Sequence, residues 1–328
     1  MADRGAIPDN QGMHILIPFA AATGPQCRQA LNGLKLPHLD KLLQRLTPAP
    51  VLGGKADALT PLHETIAAQS AGLAGPDGLI PWAAHDAHER NLTGLHGQDG
   101  WAWITPCHWT VHADHVEMAD PVHMSLTVED YETLWRAMEP YFAEDGITLF
   151  AHALDHPSRS WLAHGAVFRD LPTASLDRVA GQKVDPWMPR QAQAKTLRRL
   201  QNEMQMLLYT HPLNDERARY KLPSINSFWV SGTGALMEAT PGTPLTVQDT
   251  LRASALQDDG ARWAQIWQGI DNTVLAAALQ RLKRGDSVQI TLCGEHRAIT
   301  LQHPASSLGA RLLRRLATPQ TLTLLKSL

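Results

Sequence analysis

The 328-residue chain is 44% hydrophobic and 19% charged, and its formal net charge is −3. This length and composition fit a globular protein with a substantial core in one large or two interlocked domains. The small net charge gives no general attraction to phosphate backbones or anionic lipid, so neither a nucleic-acid partner nor a membrane partner is expected.

The first part of the chain predicts a strand followed by three helices. The apolar run HILIPF at 14–19 is typical of a buried strand. Leucines at helical spacing then predict a helix at 36–46. A region rich in Pro, Gly, Ala and His follows, and its weaker patterns predict helices at 62–71 and 81–92.

The next block predicts a small antiparallel sheet with a helix across one face. Residues 101–119 are rich in Trp, Val, Ile and Thr and alternate in part, which predicts two strands or one bent hairpin. Thr127 begins a pattern close to a capping box, so a helix is predicted at 128–138. An Asp-Gly turn then leads into strands predicted at 147–151 and 160–168.

The remainder predicts mainly helices. The clearest is 189–209, because its leucines and methionines form one apolar face and its polar residues lie mostly off that face. The later elements are predicted, in chain order, as a strand at 226–230, helices at 247–256 and 261–281, a hairpin of 287–292 with 297–301, and a basic amphipathic helix at 308–316.

Cysteine use and the N-terminus indicate the compartment. Cys27, Cys107 and Cys293 are far apart and odd in number, which suits a reducing compartment better than a disulfide framework. Acidic and amide residues, and no basic segment, precede the short apolar run at 15–22, so no signal peptide is predicted. No run approaches the ~20 apolar residues of a membrane span. A cytoplasmic protein is therefore expected.

The segment HPLNDERARYKLPSINSFWVSGTG at 211–234 predicts a binding site, because a helix end, a polar turn, a strand and a Gly-rich turn follow one another. Asn214, Arg217 and Asn226 offer a planar cation between two amides, which suits a phosphate or a carboxylate. Glycines after a strand let backbone N–H groups approach such a ligand. A helix-turn-strand crossover without a ligand, in which Arg217 pairs with an internal carboxylate, stays open as the alternative.

Histidines raise the question of a metal site. His108, His112 and His115 lie within eight residues, beside Cys107 and Asp114. On a single strand His108 and His112 share a face while His115 points away, so packing histidines are favoured over a metal site. The chain has no G-x-S-x-G elbow, Walker loop or G-x-G-x-x-G motif. Hydrolase, nucleotide and dinucleotide functions therefore have no motif support.

Several segments of the sequence resemble those of a known family. The order HP-L-N-x-x-R, LP-x-x-N-x-x-W and G-T-G across 211–234 resembles archaeal-type cofactor-independent phosphoglycerate mutases of the alkaline phosphatase superfamily. LPHLDKL at 36–42 resembles the early helix of that superfamily, and 101–120 resembles part of its inserted lid domain. The overall arrangement, including LRRLQNEMQMLLYTHPLNDERA and NSFWVSGTG, resembles the RpfE-type bacterial regulatory proteins.

The resemblance implies a fold and a set of site residues. It implies an α/β fold with an alkaline-phosphatase-like sheet, helices on both faces and an inserted small α+β lid domain. The core domain is then expected at 1–95 plus 190–328, and the β-rich lid at 96–189. The implied ligand-binding residues are Asn214, Arg217, Asn226, Gly232, Gly234, Arg159 and Asp185.

Departures from the family pattern predict the function. The family places a metal-binding Asp after its first strand, whereas here the strand continues as PFAAATG and the next Asp is Asp40. Two adjacent metal ions need several carboxylates, which this sequence does not supply in the family's positions. We therefore expect a non-catalytic regulatory protein without a cofactor, with a small anionic ligand or a protein as its partner. The alternative is an active metal-dependent phosphoglycerate mutase or phosphohydrolase that uses Mn or Zn, with ligands such as His108, His112 and His115.

Overall fold

The computed structural model describes residues 12–92, 99–150, 160–236, 242–303 and 320–328. The strands of these residues are β1 (Met13–Ile17), β2 (Thr47–Pro48), β3 (Leu52–Gly53), β4 (Gly100–Cys107), β5 (Trp109–Val111), β6 (Val116–Met118), β7 (Thr148–Phe150), β8 (Trp161–Gly165), β9 (Gln182–Lys183), β10 (Ser227–Gly234), β11 (Thr246–Val247), β12 (Val288–Cys293) and β13 (Arg297–Gln302). The α-helices are α1 (Pro25–Leu31), α2 (Pro37–Leu43), α3 (Leu62–Ser70), α4 (Trp82–Glu89), α5 (Val128–Glu144), α6 (Leu176–Val179), α7 (Lys195–Tyr209), α8 (Pro212–Arg219), α9 (Arg252–Leu256), α10 (Gly260–Ile270), α11 (Ala276–Arg284) and α12 (Thr321–Lys326).

The chain forms two compact units. The terminal unit comprises the described residues of Met1–Ala56, Leu62–Ala71 and Gly242–Leu328, and the central unit comprises those of Asp57–Pro61 and Gly72–Pro241. The central unit is larger than the expected lid at 96–189. The reason is strand pairing, because β10 runs antiparallel along β4 and therefore draws the chain after residue 189 into the central unit.

The terminal unit contains a mixed sheet with helices on both faces. Its strand order is β11-β1-β12-β13-β2, and β3 pairs with β13. β1 is parallel to β11 and β12, whereas β12 and β13 form an antiparallel hairpin. Ile15 and Ile17 pack in a core formed with α1, α2, α10 and α11, and Leu16 packs on the other face with Ile66 of α3. This alternation follows from the two-residue period of a strand.

Two tryptophans of α10 fix the loop that follows β1. Trp263 and Trp267 are fully buried, and their indole Nε1–H groups donate to the carbonyl oxygens of Phe19 and Ala20, each at 3.1 Å. Each ring thus removes a large apolar area from water and still satisfies its polar N–H. The backbone at the carboxyl end of β1 is therefore held against the helical layer.

The central unit contains two antiparallel sheets. The larger has the order β10-β4-β8-β7, and the smaller has the order β5-β6-β9. α5 and α7 pack in a core with one side of the larger sheet, whereas α4 packs with Trp101 and Leu162 in a separate cluster. The predicted capping box at the start of α5 is confirmed: Thr127 accepts from the Asp130 N–H, and Asp130 accepts from the Thr127 N–H.

The sequence predicted most elements but misplaced some ends. A mixed α/β architecture with helices flanking sheets is confirmed. The helix expected at 247–256 begins at Arg252, because β11 occupies 246–247. The helix α8 at Pro212–Arg219, predicted only as a polar turn, begins with an N-cap at His211 and a proline at its first position. The basic helix predicted at 308–316 lies outside the described residues. Among the helices that are described, none is both long and apolar enough to cross a membrane.

Candidate functional site

Arg217 lies at the centre of the predicted site and is almost completely buried. Its side chain is 2% exposed. Its guanidinium donates to Asp130 Oδ2 at 2.9 Å, to the Pro223 carbonyl oxygen at 2.9 Å and to the Met124 carbonyl oxygen at 2.5 Å. One arginine thus joins α8, the turn after α8 and the start of α5. These contacts match the alternative in which Arg217 pairs with an internal carboxylate.

The two predicted amides are also engaged within the chain. Asn214 donates through Nδ2 to the carbonyl oxygens of Leu208 and Ile225, and its Oδ1 accepts from the Ile225 N–H, all at 2.8 Å. Asn226 Oδ1 accepts from the Trp109 N–H at 2.7 Å, and its Nδ2 donates to the Trp109 carbonyl oxygen at 2.8 Å. Each amide therefore bonds like a backbone group and joins separate segments.

The predicted glycines serve packing. Gly232 has φ +65°, and a Cβ there would lie 2.7 Å from the Trp103 ring. Gly234 has φ +140°, and a Cβ would lie 3.1 Å from the Leu79 carbonyl oxygen. Only glycine tolerates these conformations and contacts without strain. Between them Thr233 is fully buried and donates to the Leu171 carbonyl oxygen at 2.7 Å. The G-T-G segment, predicted as a turn, therefore lies within β10 and packs against other parts of the protein.

Asp185, one of the two weaker predicted site residues, does not join this cluster. Asp185 lies in a short 3₁₀ turn, and its Oδ2 accepts from the Val116 N–H at 3.4 Å. Arg159 lies outside the described residues. The structure therefore brings Asn214, Arg217 and Asn226 into one hydrogen-bonded region, but it turns their polar groups toward the protein. This geometry favours the crossover without a ligand over the predicted anion site.

A cavity of about 300 Å³ lies at the carboxyl ends of two parallel strands of the terminal unit. β1 ends at Ile17 and β12 ends at Cys293, and the loops that follow supply part of the wall. The cavity is lined by Ala21, Ala22, Thr23, Arg28, Leu31, Glu295, Leu325, Lys326 and Leu328. Ligands of α/β sheets commonly bind at this edge. Sequence reasoning missed this cavity because its walls come from α1, the β12–β13 turn and α12, which are distant in sequence.

The cavity combines apolar walls with a charged rim. Leu31 and Leu325 are buried, whereas Arg28, Lys326 and Glu295 are exposed. Glu295 lies 3.8 Å from its neighbour His296. The lining therefore includes two cations and one carboxylate among mostly aliphatic residues.

Carboxylates of the protein occupy the N-terminal ends of two helices in this unit. Asp258 accepts from the N–H groups of Gln26 at 3.0 Å and Cys27 at 2.9 Å, at the start of α1. Burial acts to raise the pKa of Asp258, but the backbone donors of Cys27 and Gln26 outweigh it, so the pKa lies below its usual value. The partial positive charge of the helix N-terminus stabilises a negatively charged carboxylate at this position.

Asp271 acts in the same way at the start of α2. It is 1% exposed, and it accepts from the backbone N–H groups of His38 at 3.1 Å and Leu39 at 2.9 Å. The His38 Nδ1 lies 2.9 Å from the same carboxylate. Asp271 itself begins a π-helical turn, Asp271–Leu275, between α10 and α11. Backbone N–H groups at a helix N-terminus can bind a phosphate in other proteins. Here the N–H groups of His38 and Leu39 bind the Asp271 carboxylate instead.

The structure brings two of the three predicted histidines together. His112 and His115 flank the tight turn between β5 and β6, and their rings stack with centroids 4.5 Å apart. His108 is not part of this pair. Its Nδ1 lies 2.8 Å from the Ser224 carbonyl oxygen instead. Glu117, which the sequence analysis did not select, joins the pair. His115 was predicted to point away from His112 on a single strand, and this is wrong, because the turn places the two residues opposite each other.

Cys27, Cys107 and Cys293 are buried, and no disulfide joins them. Burial raises the pKa of the Cys27 thiol to about 12, helped by a hydrogen bond to Asp258. Burial likewise raises the pKa of the Cys107 thiol. Thiols of this kind are poor nucleophiles at neutral pH. Cys107 is therefore a packing residue in this environment.

Comparisons with known proteins assign no family to the chain. No family model matches it, and no curated protein matches it. The structure is similar to "Cofactor-Independent Phosphoglycerate Mutase from Thermoplasma acidophilum DSM 1728", with 12% identity, 91% of each chain covered and a TM-score of 0.35. It is also similar to "PH0037 protein from Pyrococcus horikoshii", with 13% identity, 90% of this chain and 88% of that chain covered, and a TM-score of 0.45. Similarities this distant assign neither family nor activity, and the resemblance to RpfE-type proteins stays a prediction.

Proposed function

We propose that the protein is a non-catalytic, degenerate relative of cofactor-independent phosphoglycerate mutases that acts as a regulatory binding protein. Its ligand is a small organic anion with an apolar part, bound in the cavity at the carboxyl ends of β1 and β12. The observation that carries this proposal is the composition of that cavity, whose lining combines aliphatic side chains with the exposed cations of Arg28 and Lys326.

The size and charge of the cavity define the ligand class. A volume of about 300 Å³ is at the small end of ligand sites, so it suits a molecule of a few carbon atoms. Leu31, Leu325 and two alanines provide an apolar surface for its body. Arg28 provides a planar fork for a carboxylate or phosphate head, and Lys326 provides a second positive charge. Glu295 disfavours a ligand with several negative charges.

Three features of the structure support a non-catalytic role. Arg217, Asn214 and Asn226, which the resemblance implies to be ligand-binding, use their polar atoms in internal hydrogen bonds. Asp258 and Asp271 occupy two helix N-termini that could otherwise hold a phosphate. β1 is followed by Pro18 and Phe19 instead of a metal-binding carboxylate. We also propose that the central unit corresponds to the inserted lid domain that the resemblance implies.

Calorimetric titration of the full chain with hexanoate, acetate and 3-phosphoglycerate tests the ligand class. Hexanoate is expected to bind more tightly than acetate, because the aliphatic walls contribute about 0.8 kcal/mol for each buried methylene. The double variant Arg28→Gln/Lys326→Gln is expected to weaken hexanoate binding at least about tenfold, equal to about 1.4 kcal/mol. Arg262→Gln, an exposed arginine of the same unit, is the matched control. Equal affinities of the double variant and the control contradict the proposed site.

Turnover assays test the non-catalytic role against the active alternative. The wild-type protein is incubated with 3-phosphoglycerate or p-nitrophenyl phosphate, with added Mn²⁺ or Zn²⁺ and with a chelator. We expect no metal-dependent isomerisation or hydrolysis. Turnover that requires metal and is lost in Arg217→Ala protein that remains folded would refute the non-catalytic proposal and favour a metal-dependent phosphomutase or phosphohydrolase.

A further inference from the structure

The β5–β6 hairpin of the central unit gathers three metal-binding side chains. Ala113 and Asp114 form its turn, and the His112 N–H donates to the His115 carbonyl oxygen at 2.8 Å. His112 and His115 therefore lie directly opposite each other, with their rings 16° from parallel. Glu117 extends from β6 beside them, and the nearest donor atoms of the three side chains all lie within 4.8 Å of one another.

The spacing of the donor atoms fits a shared ion better than a direct hydrogen bond. His112 Nε2 lies 3.7 Å from Glu117 Oε2, which exceeds the range of an N–H···O hydrogen bond. Two ligands bound tetrahedrally to one Zn²⁺ at bond lengths of about 2.0–2.1 Å stand about 3.4 Å apart. A small movement of either side chain therefore places a metal ion between them.

The surroundings of His115 resemble the outer shell of a metal site. Its Nδ1 is 2.7 Å from Asp114 Oδ1, so the carboxylate fixes the tautomer and leaves Nε2 as the ligand atom. Lys183 Nζ lies 3.9 Å from the other oxygen of Asp114 and partly offsets its charge. Asp114 is thus a positioning residue for the His115 ring.

We propose that His112, His115 and Glu117 bind a divalent transition metal of the zinc class. Two imidazole nitrogens and one carboxylate oxygen are a donor set that suits zinc and disfavours calcium or magnesium. Because the two rings are nearly parallel, the His112 ring turns about its terminal torsion so that both lone pairs converge on the ion. Its side chain is 43% exposed, which leaves room for that rotation. The remaining coordination position is open to water or an anion.

The test uses full-length protein without an affinity tag, titrated with ZnCl₂ by calorimetry and with CoCl₂ by visible absorption. Wild-type protein is expected to bind one Zn²⁺ per chain and to show tetrahedral Co²⁺ bands. His112→Ala and Glu117→Gln are each expected to weaken Zn²⁺ binding at least about tenfold, and Asp114→Asn about tenfold through misorientation of His115. His88→Ala, which removes an exposed histidine of α4, is the control and is expected to bind as wild type.

Absence of stoichiometric Zn²⁺ binding, or unchanged affinity in both His112→Ala and Glu117→Gln, overturns the proposal. A second measurement needs no variant: carbethoxylation of histidines mapped by mass spectrometry with and without Zn²⁺. His112 and His115 are expected to be protected by the metal while His88 is modified equally in both samples. Equal modification of all three also overturns the proposal. The site belongs to the central unit, so its outcome is independent of the cavity variants in the terminal unit.

Discussion

Arg217 offers the sharpest distinction between a structural and a ligand-binding role. Replacing it by alanine removes three hydrogen bonds and leaves the Asp130 carboxylate and two carbonyl oxygens without that donor. Loss of one partner of a buried ion pair costs about 3–5 kcal/mol. Asp130 is 17% exposed and still accepts from the Thr127 N–H at 3.1 Å. We therefore expect a loss of about 3 kcal/mol in the free energy of unfolding.

Urea denaturation followed by tryptophan fluorescence measures this loss. With a slope of about 2–3 kcal/mol per molar urea, the transition of the central unit is expected to move down by at least about 1 M. Arg219→Ala, an exposed arginine on the same helix, is expected to change the free energy of unfolding by less than about 0.5 kcal/mol. An Arg217→Ala midpoint equal to or above that of the wild type would refute the structural role. Such a result would instead indicate that Arg217 is retained for ligand binding at a cost in stability.

Two further predictions concern the terminal unit. Asp271→Ala is expected to reduce the free energy of unfolding of this unit by about 2–4 kcal/mol, because the start of α2 loses three hydrogen bonds. The control in the same urea titration is Asp249→Ala, at an exposed position. Burial lowers the pKa of His14 below 6.5, so the unfolded state binds more protons, and stability is expected to fall as the pH drops below about 6.5. Titrations at pH 7.5 and 5.5 should show a smaller decrease for His14→Gln, and an equal decrease would contradict this assignment.

The sequence alone determined the elements whose causes are local. The capping box of Thr127 and Asp130 is confirmed because its two hydrogen bonds join residues three positions apart. The strand predicted at 14–19, which the structure places at Met13–Ile17, and the hairpin around Gly294 are confirmed for the same reason, since a strand period and a turn are set by near neighbours. Two strands or one bent hairpin were predicted across 101–119, but the tight turn that brings His112 and His115 together was not.

The tertiary structure decided which surfaces and charges meet. Arg217 and Asp130 are 87 positions apart, so no local pattern in the sequence distinguishes an arginine that faces a ligand from one that faces this carboxylate. The extent of the central unit depends on the pairing of β10 with β4, whose residues lie more than a hundred positions apart. The cavity likewise combines Arg28 with Lys326 from opposite ends of the chain. Local propensities set the elements of this protein, whereas long-range packing determines which side chains pair and which remain available to a ligand.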